Sequence, residues 1–80
     1  MSDAPDGGQL AEERWLGALA AELGVSPPSG EERELLLALA GIAAHASQRT
    51  AAPLACFLVG RSGLAPEAAL ELARRVSGQR

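Results

Sequence analysis

The stretch SGEERELLLALAGIAAHA, Ser29 to Ala46, decides the fold. Ser29 followed three residues later by Glu32 is a capping box, in which each side chain satisfies a backbone N–H that the first helical turn leaves free. Glu31, Glu32 and Glu34 add negative charge at the positive end of the helix dipole, and Arg33 opposes them. From there to about Gln48 the apolar residues cover most of a helical wheel. Leu35, Leu36, Leu39, Ile42, Ala43 and Ala46 form one broad face, and Leu37, Ala40 and Ala44 carry it round the back. Only a narrow arc holds Gly41, His45, Gln48 and Arg49. A helix this apolar on all sides belongs at the centre of a bundle.

Working outward, the segment before it predicts a helix from about Gln9 to Leu23. Trp15, Leu16, Leu19, Ala20 and Leu23 make its stripe, Gly24 is a natural stop, and Pro27–Pro28 forbid continuation. The segment after it predicts a short third helix, Pro53 to about Arg61, with Leu54, Phe57 and Leu58 on one side and Cys56 and Gly60 on another. Gly63 ends that helix. A fourth runs from Pro66 to near Ser77 on a stripe of Ala69, Leu72, Ala73 and Val76. No period-2 strand pattern and no internal repeat occurs. Connections of a few residues make neighbouring helices antiparallel. The expected fold is therefore all-α: a compact four-helix domain over residues 9–78, with a short third helix and a central second helix. Residues 1–8 are expected to be a disordered lead.

Composition narrows the function classes. The chain has 80 residues, net charge −3, no lysine, and an isoelectric point near 5.0. Such a surface repels phosphate backbones, so nucleic acid is not an expected partner, and a helix-turn-helix reading around Arg49 and Arg61 is the weakest available. A single cysteine excludes an internal disulfide and fits a reducing, cytoplasmic setting. The start of the chain lacks the basic and apolar regions of a signal peptide, and the apolar runs 35–46 and 51–60 are too short to span a bilayer, so no membrane association is expected. GRSG at 60–63 is not a phosphate loop, lacking both the lysine and the spacing. An acyl-carrier role would need Asp-Ser-Leu at the start of the second helix, where this chain has Ser29-Gly30-Glu31.

His45, Cys56 and Phe57 are singletons gathered near one corner, where the second helix ends and the third begins. A histidine near a helix C-terminus complements the dipole, as Arg49 does. A catalytic histidine needs an orienting carboxylate and a nucleophile, and no local partner supplies them. Cys56 beside Phe57 reads as a small buried hydrophobe. Its reactive reading rests on closeness to a helix N-terminus, whose dipole lowers a thiol pKa. One His and one Cys fall short of a zinc site. Trp15 sits at the edge of its stripe, where it either lids a core or anchors an interface. Leu37 points away from Leu35 and so meets the first or the fourth helix, or a partner. The candidate functional surface is Trp15, Leu37, His45, Arg49 and Phe57, with no catalytic residue, metal or cofactor expected.

Three segments together, ERWLGALAAELGV, LLLALAGIAAHASQRTAAPLACFLVG and PEAALELARRV, resemble a family of short actinobacterial helical proteins. Trp15, Leu16, Leu23, Gly24, His45, Arg49, Pro53, Phe57 and Gly60 fall on its pattern, among others, over about residues 12 to 76. The pattern usually has Arg-Asp where this chain has Gly41-Ile42, and hydroxyl residues at Ala55-Cys56. Family members also resemble a C-terminal appendage of nucleotidyltransferases of the molybdenum cofactor guanylyltransferase type. The resemblance implies an accessory role near molybdenum cofactor maturation and carries no activity with it. The expected function is a small non-catalytic helical module that binds a protein partner or a second copy of itself. The alternative is a small-ligand or metal site formed by His45, Arg49 and Cys56 at the corner.

Overall fold

A computed structural model describes residues 7–78. Four helices follow in order: α1 Gly7–Leu23, α2 Gly30–Ala46, α3 Ala51–Ser62 and α4 Pro66–Val76. The chain is an all-α domain, with no strand among the described residues. Both 17-residue helices come first; α3 has 12 residues and α4 has 11.

The helix ends are written in local chemistry. Ser29 Oγ accepts from the Glu32 N–H at 3.0 Å, and the Ser29 N–H donates to Glu32 Oε1 at 2.9 Å, so both halves of the capping box are made. Gly24 sits at φ 74° and closes α1 in a Schellman turn: the Val25 N–H donates to the Ala20 carbonyl at 2.9 Å and the Gly24 N–H to Ala21 at 3.2 Å. At the end of α3, Ser62 Oγ donates to the Val59 carbonyl and accepts from the Leu64 N–H. Gly63, at φ 76°, then turns the chain into α4, which opens on Pro66. The start of α3 lies two residues before Pro53, because the Ala51 and Ala52 N–H groups bond back to Gln48 and Arg49. Pro53 remains in the first turn, where its missing N–H costs nothing. The first helix opens at Gly7, two residues earlier than its apolar pattern indicates; residues 1–6 of the expected lead lie outside the described part.

The second helix is central, packing against α3 and α4. Its Leu39 is 2% exposed and forms the core with Ala69 and Leu70 of α4. Leu35 and Ile42 of α2, Ala55, Cys56 and Val59 of α3, and Ala73 of α4 pack round this cluster. The inward face of α3 is thus its small-residue side, and Leu54, Phe57 and Leu58 point outward. On α4, Leu70 is buried, whereas Leu72 and Val76 of the sequence stripe are exposed. Small faces let the helix axes approach closely, and the larger side chains then stand at the margins of the contact. Among the described residues no polar or charged side chain is buried.

The first helix is joined to this body differently. Ala20 is buried, and Glu12 Oε1 accepts from both Nε and Nη2 of Arg33, at 2.9 and 2.7 Å. That exposed pair is worth about 0.2–1 kcal/mol and is screened by salt. Trp15, Leu19 and Leu23, one line along α1 at spacings of four, are 65%, 40% and 65% exposed.

Candidate functional site

The most distinctive surface is an apolar groove. The C-terminal half of α2 forms its floor through Leu39, Ile42, Ala43 and Ala46. One wall is α3, with Leu54 and Leu58, and the other is α4, with Leu72 and Val76. The groove has a volume of about 510 Å³, and only Ser62 and Ser77 interrupt an otherwise apolar lining. Ser62 is occupied with its own turn through Val59 and Leu64. The groove arises because α2 grips α3 and α4 along their small faces, which leaves the i, i+4 pairs Leu54/Leu58 and Leu72/Val76 facing each other across a gap. A fourth helix would fill that place in a closed bundle. No residue of α1 lines it.

Charge is divided unevenly along the chain. From residue 47 onward Arg49, Arg61, Arg74, Arg75 and Arg80 outnumber Glu67 and Glu71, for a net +3. The first 29 residues carry Asp3, Asp6, Glu12, Glu13 and Glu22 against Arg14, a net −4. The groove's walls therefore lie in a basic part of an acidic chain, while its floor belongs to α2, which carries Glu31, Glu32 and Glu34 against Arg33.

None of the five surface residues singled out from the sequence lines the groove. Trp15, Leu37 and Phe57 are 65%, 52% and 59% exposed, and His45 and Arg49 are exposed. Trp15 does not lid the core, and Leu37 meets neither α1 nor α4 in a buried contact. Phe57 carries the Arg61 guanidinium over its ring at 4.6 Å, a cation–π contact outside the groove. The His45 ring, protonated at Nδ1, donates to the Gly41 carbonyl at 2.8 Å, a local bond within the last turns of α2. The signal for the groove was present in the sequence as the two i, i+4 apolar pairs, but each reads equally well as a core stripe.

Cys56 is half-buried against the core cluster, and burial pushes its thiol above its ordinary pKa. Desolvation of the thiolate, rather than the dipole of α3, governs it. Because the folded value is raised, the thiol's contribution to stability is complete below the ordinary 9.0 and is lost as pH climbs beyond it. The parent should therefore lose more stability than Cys56→Ala between about pH 8 and about pH 10, read as the shift in urea midpoint. Equal losses would remove the burial account. Alkylation of the native thiol near neutral pH should be at least about threefold slower than that of free cysteine.

Among the described residues no group of three or more His, Cys, Asp or Glu is placed to hold a metal ion, and no helix is long and apolar enough to cross a membrane. Comparison with curated proteins and with solved structures returns no match. Residues 9–79, nearly the whole chain, match the domain of unknown function DUF6457, and the protein belongs to that family.

Proposed function

We propose that this protein is a small, cytoplasmic, non-catalytic interaction module whose working surface is the α2–α3–α4 groove, and that its occupant is an acidic amphipathic helix. The carrying observation is the groove itself: about 510 Å³ of apolar lining at the position of an absent bundle helix. Contiguous apolar surface of this kind is the usual mark of a protein-binding site. A helix laid in a groove is recognised through apolar anchors at i, i+4 spacing, which Leu54/Leu58 and Leu72/Val76 are spaced to receive. The arginines of α3, α4 and their flanks favour acidic flanks on that helix and hasten its capture at low salt.

The resemblance to the C-terminal appendage of guanylyltransferase-type proteins supplies the setting, an accessory position beside molybdenum cofactor maturation. The test is a calorimetric titration of the purified chain with the guanylyltransferase-type enzyme of the same organism. Micromolar or tighter binding is expected, weakened at least ~30-fold by Leu54→Glu. Leu54 is 64% exposed, so that change leaves the fold intact. Absence of binding, or binding indifferent to the groove substitution, overturns the reading.

A further inference from the structure

The chain carries both halves of the joint just described. Its groove lacks an occupant, and its own α1 is an acidic helix with an uncovered apolar line, Trp15, Leu19 and Leu23. We infer that α1 of one copy lies in the α2–α3–α4 groove of a second, so that two chains exchange arms and each completes the other's four-helix bundle. This deepens the interaction reading by naming a partner, and it rests on that reading.

Three observations carry it. First, the fit: Trp15 to Leu23 spans about 12 Å of helix, within the ~18 Å length of the α3 wall. Second, the charge: α1 is net −2 and the chain that forms the groove, residues 30–80, is net +1, so exchange brings opposite charges together. Third, the area. Trp15, Leu19 and Leu23 with the exposed groove residues leave roughly 500 Å² of apolar side chain per protomer, and a standard-size protein interface buries about 800 Å² per partner, a little over half of it apolar. When the exchange is reciprocal, the two arm-in-groove contacts close on themselves and yield a dimer.

The connection suits an exchanged arm. Pro27 and Pro28 hold Ser26 and Pro27 extended, between the Schellman turn that ends α1 and the capping box that starts α2. Both helices are thus terminated by local bonds whichever body α1 rests on. Within one chain α1 is tied to the N-terminal turn of α2 through Glu12–Arg33, and the groove lies over the C-terminal half of α2.

Sedimentation equilibrium of the full chain, from about 1 to about 500 µM, should show a species of twice 8.2 kDa, with blue-shifted emission from Trp15, the only tryptophan. Trp15→Glu and Leu58→Glu alter residues 65% and 60% exposed, so each should keep its helical circular dichroism while dimerising at least ~30-fold more weakly. Mixing the two variants is the decisive step. The intact α1 of the Leu58→Glu chain finds the intact groove of the Trp15→Glu chain, so a heterodimer appears and its single tryptophan shifts blue only on mixing. A monomer at every concentration overturns the inference. So does a monomer whose Trp15 is already shielded, because α1 then closes its own groove. A dimer that mixing does not restore belongs to another interface and also overturns it. Any of these combined with Leu54→Glu-sensitive binding of the enzyme leaves the interaction reading standing; loss of that sensitivity removes it separately.

Discussion

Leu39→Ala is expected to lower the thermal midpoint of the domain by at least about 10 °C. Leu39 is the most deeply buried large side chain described, 2% exposed, and it is the point at which α2 meets both later helices. Truncating a buried leucine costs about 2–5 kcal/mol, part from lost transfer energy and part from the cavity left behind. A chain of 80 residues has a total stability of about 4–12 kcal/mol. In a domain of this size each kcal/mol moves the midpoint by about 4–8 °C. The cost is partly relieved because Leu39 forms the floor of the groove, where neighbouring side chains have room to settle. Circular dichroism melts at fixed protein concentration check the result. A midpoint within about 3 °C of the parent would mean that the α2–α3–α4 contact is not what holds the body together.

The second large effect comes from charge rather than volume. Leu70→Asp puts a short carboxylate where the parent has a 6% exposed leucine on the core cluster. Among the described residues no buried polar group is available to pair with it. An uncompensated buried charge costs about 3–5 kcal/mol beyond the lost apolar burial. The α2–α4 contact should therefore be lost near neutral pH, seen as absence of a cooperative urea transition. Burial raises the pKa of the introduced carboxyl, so the penalty is full above that raised value and falls as pH drops below it. The deficit relative to the parent should be smaller at about pH 4 than at about pH 7. An equal deficit at both would assign the damage to lost packing alone.

Helix ends were the most legible part of the structure in the sequence. Ser29 and Glu32 form the expected capping box, Gly24 and Gly63 adopt the left-handed turns expected of helix stops, and Pro66 opens α4. Each depends on a few adjacent residues, so local pattern suffices. The roles of helix faces were less legible. A stripe reading puts the largest apolar residues inward, but α3 packs through Ala55, Cys56 and Val59, and α4 through Ala69, Leu70 and Ala73. With those faces inward, Leu54, Leu58, Leu72 and Val76 are left at the exposed margins. The groove they line depends on the relative placement of three helices, which no single periodicity encodes. Trp15 was read as lidding a core or anchoring an interface, and Leu37 as meeting another helix or a partner; both are exposed. What Trp15 does there depends on a second surface that is remote in sequence.

The connections within the α2–α4 body have a kinetic consequence. Residues 47–50 join α2 to α3, and residues 63–65 join α3 to α4. The α2–α3 contact is between sequence neighbours, and the α2–α4 contact spans only α3 and two short connections, so loop entropy opposes closure of the body modestly. Helical bodies of such low contact order form in microseconds to milliseconds. A ribosome takes about 50–200 ms to add one residue. Once α4 is free to pack, this body can thus close in less time than one step of synthesis takes.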